Sequence, residues 1–134
     1  MKKCNSLLVM LSLLLYCGLS FAADNQGFLE KDFVLNPQQK QDLTNQALDG
    51  SGQAALRLSR FYSNVTLNLD ESLKWAIIGA ENGDANCEYT AYGFLSRRQS
   101  PDDQRRALFW LHKAADQGYQ PAVEHLKNYK PGQI

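Results

Sequence analysis

The sequence predicts an all-α fold of stacked antiparallel helix pairs, about six helices in all, and three observations predict it. Trp75 and Trp110, the only tryptophans, stand 35 residues apart inside the same phrase: Trp75 leads to Ala80-Glu81-Asn82-Gly83 and Cys87, Trp110 to Ala115-Asp116-Gln117-Gly118 and Ala122. A third, more divergent copy precedes them, Ala47-Leu48-Asp49-Gly50 leading to Ala54, so that Gly50, Gly83 and Gly118 recur at spacings of 33 and 35. After each glycine, apolar or small residues follow at three- and four-residue steps, the period of a helix with one buried face. A helix pair repeated at this period cannot bury its apolar face alone and must stack on its neighbours.

Each element has a start and a face. Asn36-Pro37-Gln38-Gln39 opens a helix over 37–48, with Asn36 as N-cap, proline at the first helical position and Gln39 as the returning acceptor of a capping box. Gly50 turns the chain into a helix over 52–63, whose buried face is Ala54, Leu58, Phe61 and Tyr62. Asn68-Leu69-Asp70-Glu71 starts the next, over 69–81, with Glu71 in the capping-box position. Gly83 leads into 84–97, which turns Cys87, Ala91, Phe94 and Leu95 inward. Ser100-Pro101-Asp102-Asp103 opens 101–116, the acidic pair suiting a helix N-terminus. Gly118 leads into 119–129, with Ala122 and Leu126 inward and Tyr129, Pro131 and Gly132 as terminators. In the first unit Asp42 stands where the tryptophans stand and Gln46 where Gly79 and Ala114 stand, which predicts a more polar outer face.

The two ends read differently. Lys2 and Lys3, an apolar run from Leu7 to Leu19 and Ser20-Phe21-Ala22 have the form of a secretory signal peptide over residues 1–22. The run is shorter than the ~20 residues of a membrane-spanning helix. Leu14-Leu15-Tyr16-Cys17 loosely resembles a lipoprotein cleavage site, but bulky Tyr16 occupies a small-residue position. The short two-lysine leader has a bacterial character, so the expected location is periplasmic or secreted after cleavage near Ala22, with no membrane anchor. Residues 23–35 form an aperiodic extended segment whose Phe28, Leu29, Phe33, Val34 and Leu35 are expected to fold back over the first helices; the repeat domain spans 36–130 and a tail 131–134.

Composition narrows the function classes. The chain carries 14 basic and 14 acidic residues, and loss of Lys2 and Lys3 with the leader makes the remainder slightly acidic. Nucleic-acid and anionic-membrane partners need a basic face and are not expected. Cys4 and Cys17 leave with the leader, so Cys87 has no partner for an intramolecular disulfide. Its place in the repeat is that of Ala54 and Ala122, which predicts a small buried residue at a helix contact.

Chemistry is sparse. His112 and His125 fall on different helices without further donors at metal spacing, so no metal, cofactor or catalytic residue is assigned. There is no phosphate loop, nucleophile elbow or Cys–His pair. A hydrolase of the cell wall or of β-lactams would require His112 or His125 to line a pocket with a carboxylate. Candidate partner-binding residues lie where the copies disagree: Tyr89 and Tyr92 replace Leu56 and Ser59, while Arg57 and Arg60 lie three apart on one helix face. Arg97 and Arg98 join them as a basic pair before Ser100, a position that also suits a helix C-terminus.

The repeat resembles the Sel1-like family, relatives of the tetratricopeptide repeat. Trp110, Lys113-Ala114-Ala115, Gly118 and Ala122 match its pattern closely, and Trp75, Ala80, Gly83 and Cys87 match with Ile78-Gly79 in place of Lys-Ala. The family's glycine after the first helix's leucine is absent, Ser59 following Leu58 and Tyr92 following Ala91, and the loops 63–67 and 96–99 lack its glycine-valine step. The resemblance covers roughly residues 40–130. It implies a right-handed α-solenoid that acts by binding another protein, with departures on the first helix of a unit facing a groove. Short exported members resemble immunity proteins that silence type VI secretion phospholipase effectors. The expected function is therefore a non-enzymatic periplasmic binding module, most concretely an immunity protein with a secreted toxic effector as partner. The alternative is a periplasmic adaptor or scaffold in envelope assembly.

Overall fold

The computed structural model describes residues 33–129 and is all-α, with no strand among the described residues. Among the described residues six helices follow in order: α1 (Pro37–Leu48), α2 (Gly52–Asn64), α3 (Leu69–Glu81), α4 (Ala85–Leu95), α5 (Pro101–Asp116) and α6 (Gln120–Asn128). The sequence places every one of them, within a residue at each end except for the last turn of α4, which stops at Leu95 rather than 97. None is long and apolar enough to cross a membrane. The expected leader and the residues Phe28 and Leu29 lie outside the described residues. Leu35 is buried beside Leu43, whereas Val34 is exposed, against the expectation that it folds inward.

The three repeat glycines carry one piece of backbone chemistry. Gly50, Gly83 and Gly118 adopt φ of 103°, 84° and 78°, the left-handed region closed to most side chains. At each, the glycine N–H bonds the carbonyl three residues back and the next N–H bonds the carbonyl five back: Ser51 N to Gln46 O at 2.9 Å, Asp84 N to Gly79 O at 3.0 Å, Tyr119 N to Ala114 O at 3.0 Å. This is the Schellman closure of a helix. The same residue that completes it begins the next helix. Ser51 accepts from Ala54 N–H and Asp84 from Cys87 N–H, but Tyr119 has no short oxygen for the task; its hydroxyl instead donates to Asn86 Oδ1 at 2.6 Å on α4.

The other helix starts follow the sequence in part. Asn36 and Gln39 form the reciprocal capping box. Asn68 caps α3, but Glu71 does not return to it and turns to Lys74 instead, at 3.3 Å. Ser100 makes no side-chain cap, and Asp102 in the first turn pairs with Arg105. Between α2 and α3, Leu67 takes φ 54° and is 75% exposed. A leucine there carries the strain that a glycine would relieve, about 1–2 kcal/mol.

Each helix packs on its successor, and α1 also meets α3 and α2 meets α4. One buried cluster gathers Leu35, Leu43, Ala47, Leu58, Phe61 and Trp75; a second gathers Leu73, Leu95, Leu111, Trp110 and Tyr92 with the alanines of α3 to α6. Both tryptophans are 6% exposed, as their repeat positions predict, and Asp42 and Gln46 of the first unit face outward. Both indole N–H groups are buried without a hydrogen-bond partner among the described residues. A lysine ammonium sits near each indole ring, Lys74 at 5.5 Å from Trp75 and Lys113 at 5.4 Å from Trp110.

Cys87 is fully buried, with its thiol 3.6 Å from Gly52 O, and burial pushes its pKa well up, the neighbouring Asp84 adding to the effect. A Cβ on Gly79 would stand 2.2 Å from Cys87 Sγ and 3.1 Å from Ala55 Cβ. Gly79 and Cys87 are therefore matched: the larger thiol fits because the facing helix gives up its side chain. The corresponding pair one unit on, Ala114 and Ala122, divides the same space evenly.

Candidate interaction surface

Tyr89 and Tyr92 lie on the face of α4 turned towards α6. Their ring centroids are 5.7 Å apart and their planes tilted by 36°. His125, one helix away on α6, meets the Tyr92 ring edge-on at 5.0 Å, and its Nε2 shares a 2.6 Å hydrogen bond with the Tyr92 hydroxyl. Tyr119 closes the arrangement at 5.5 Å from Tyr89. Between the two helices opens a recess of about 500 Å³ lined by Tyr89, Tyr92, Pro121, Glu124, His125, Asn128 and Tyr129. Its volume falls within the ~300–1,000 Å³ range of ligand sites.

The recess exists because α6 is short and α4 carries rings where α2 does not. Leu56 and Ser59, the counterparts of Tyr89 and Tyr92, are buried against the following helices. Ser59 and Ser72 share a buried hydrogen bond at 3.1 Å between their hydroxyls, and Ser72 also donates to Ser59 O at 2.9 Å. One unit later the equivalent pair is Tyr92 and Ala107: the ring is accommodated where a small residue replaces the second serine. Tyr92 is thus a wall rather than an exposed hot spot, only 7% exposed, and burial raises its pKa. Tyr89 is half-buried and presents more of its ring to the recess.

Behind the same helix sits a buried charge. Glu88 is 0% exposed at a place where the other copies have Ala55 and Val123. Gln117 Nε2 donates to its Oε2 at 2.8 Å, and Lys113 Nζ stands 3.7 Å from Oε1, which has no hydrogen bond among the described residues. Burial raises the Glu88 pKa, with Lys113 and Gln117 acting against it. Gln117 occupies the repeat position of Asn82, which donates to Ala47 O at 2.8 Å across the preceding interface.

The remaining sequence candidates are dispersed. Arg57 and Arg60 are both exposed on α2, and no hydrogen bond or ring contact among the described residues ties either to Tyr89 or Tyr92. Arg98 reaches back to Asp70 at the start of α3, 2.8 Å away, and so ties the α4–α5 loop to the first turn of α3; Arg97 is exposed beside it. His112 is exposed on α5.

A scan of family models, a search of curated proteins and a search of solved structures each find no match to this chain. The surface therefore rests on its own geometry. No group of three or more His, Cys, Asp or Glu suited to a metal occurs among the described residues. Sequence reasoning missed His125 and Glu124 as recess residues and Glu88 as a buried acid. The clue to the last was present: a charge at a position otherwise held by alanine and valine. For His125 the clue is its spacing of 33 residues from Tyr92, close to one repeat, which brings side chains of successive units to the same height.

Proposed function

We propose that this chain is a non-enzymatic, exported binding module built as a right-handed Sel1-like solenoid, and that it acts by occluding a protein partner. The observation that carries the reading is the α4–α6 recess, where aromatic rings stand at the positions at which the repeat departs from itself. Aromatic anchors in rigid recesses dominate the energetics of protein interfaces. The glycine-closed turns hold these rings on a frame already organised before binding, which limits the ordering cost of association.

The most concrete form of this function is an immunity protein for a type VI secretion effector in the periplasm; the motive is the family resemblance together with the signal-peptide pattern of residues 1–22. An adaptor in envelope assembly would use the same surface. The two separate on genetics: an immunity protein is needed only when its toxin is present, whereas loss of an adaptor disturbs the envelope without any toxin. Exporting a neighbouring effector with and without this chain, and scoring survival and co-purification, tests the first. Rescue with a stable complex is the expected result; neither rescue nor complex sinks it.

A hydrolase is the second reading, favoured by one specific observation: His125 does line a recess with a carboxylate, Glu124. It is the weaker because Tyr92 occupies His125 Nε2 and, among the described residues, no serine, threonine or cysteine lines the recess. Turnover of peptidoglycan fragments or β-lactams by the purified protein, lost in His125→Ala, would promote it over binding.

A further inference from the structure

The chemistry of the recess narrows what a partner presents to it. Its walls are three tyrosine rings, a proline and an imidazole, and among the described residues Glu124 is the one carboxylate that lines it. Asn128 donates its Nδ2 to Glu124 O at 2.9 Å, which leaves its amide oxygen as an acceptor. Among the described residues, no lysine or arginine lines the recess. Among the described residues an anion would meet aromatic faces and a carboxylate, with no lysine or arginine to receive it. A purely apolar group would cover the Glu124 carboxylate without compensation. A cation satisfies both, since ring faces attract positive charge and a carboxylate accepts charge-assisted hydrogen bonds. Between the two cationic side chains, the flat and weakly hydrated guanidinium stacks on rings, whereas the ammonium is compact and strongly hydrated.

The geometry points to the α4–α6 recess as a receptor for the guanidinium group of an arginine side chain presented by a protein partner. The inference rests on the protein-binding reading and adds the identity of the anchoring group. Glu124 supplies the carboxylate, and Tyr89, half-buried where Tyr92 is buried, supplies the stacking face. Tyr92 and His125 form the fixed back wall, held by their mutual hydrogen bond.

The test needs no partner in hand. Nα-acetyl-arginine amide is titrated into the full chain while the ring resonances of Tyr89 and His125 are followed by NMR, with Nα-acetyl-citrulline amide as the uncharged isostere. Saturable shifts with a Kd on the order of millimolar are expected for the arginine amide, and binding about tenfold weaker for citrulline. Glu124→Gln, an exposed substitution that leaves the core intact, weakens the arginine amide about three- to tenfold. Tyr89→Leu, which restores the residue found at Leu56, does so without loss of helix content. No saturable shift, equal binding of citrulline, or unchanged affinity in Glu124→Gln overturns the assignment. Tighter binding of free arginine than of the blocked amide overturns it in favour of a small-molecule site. A partner captured by a chain that ignores arginine amide discards this inference alone and leaves the binding function standing.

Discussion

The interface of α2 with α3 and the interface of α4 with α5 occupy equivalent places in successive repeats, yet they solve the same packing problem with opposite materials. The first is small and neutral: Ser59 against Ser72, with Ala55 beneath. The second is large and charged: Tyr92 against Ala107, with Glu88 where Ala55 stood, answered by Gln117 and Lys113. The backbone hardly registers the difference, because both units close on the same glycine turn. What the comparison teaches is that the turn and the tryptophan set the frame, while side-chain volume and charge are traded within it pair by pair.

The trade is most sharply broken at Gly79. Gly79→Ala drives a methyl into Cys87 and is expected to cost about 3 kcal/mol by overpacking, read as a lower urea midpoint. Adding Cys87→Ala recreates the Ala114–Ala122 arrangement and should recover at least about 1 kcal/mol; a strictly additive double variant would show that the two positions are not matched.

The charged trade is broken at Lys113. Lys113→Met leaves Glu88 buried without its counter-charge and should destabilise by about 1–3 kcal/mol, below the full cost of a broken buried pair because Lys113 is half exposed. Glu88→Val with Lys113→Met, which copies the residue at Val123, should return close to the parent. The pH dependence sharpens the same point. With its pKa raised by burial, Glu88 binds its proton more tightly in the folded chain, so its contribution is fully present below the ordinary glutamate pKa and is lost as pH rises through the raised value. The stability difference between the parent and Glu88→Gln should therefore shift in the parent's favour as pH falls; a pH-independent difference would remove desolvation as the cause.

The smallest effect concerns the loop that joins α2 to α3 at the first interface. Leu67→Gly should stabilise by up to about 1 kcal/mol, since relief of a left-handed leucine outweighs the added freedom of the unfolded chain. A loss of stability would mean that the exposed leucine contributes packing that its 75% exposure does not suggest.

The frame was legible in the sequence because it is written locally. Gly50, Gly83 and Gly118 announce the left-handed turns, Asn36 and Asn68 the helix starts, and the period of Ala54, Leu58 and Phe61 the buried face of α2. The recess was half legible. Tyr89 and Tyr92 stood out as departures from the repeat, but the same departure suggested an exposed groove, and Tyr92 proves to be buried. Its partner His125 belongs to another unit, and no local period states which side chains face each other across helices. Glu88 was missed for a related reason: an acid on a helix is ordinarily solvated, and only Lys113 on α5 and Gln117 at its C-cap make its burial affordable. Glu71 and Ser100 erred the other way: a capping pattern permits a bond that a nearby lysine takes from Glu71, and that nothing in the structure explains Ser100 leaving unmade.

Cys87, carried by α4 and packed against α2 and α3, makes the molecule its own strain gauge. A thiol with no solvent exposure and a pKa driven upward reacts only after those helices part, so the rate at which a bulky alkylating reagent marks that one residue times the opening of the joint between units. Engagement of a partner at the far end of the stack would then be audible at its middle, as a slowing of that clock.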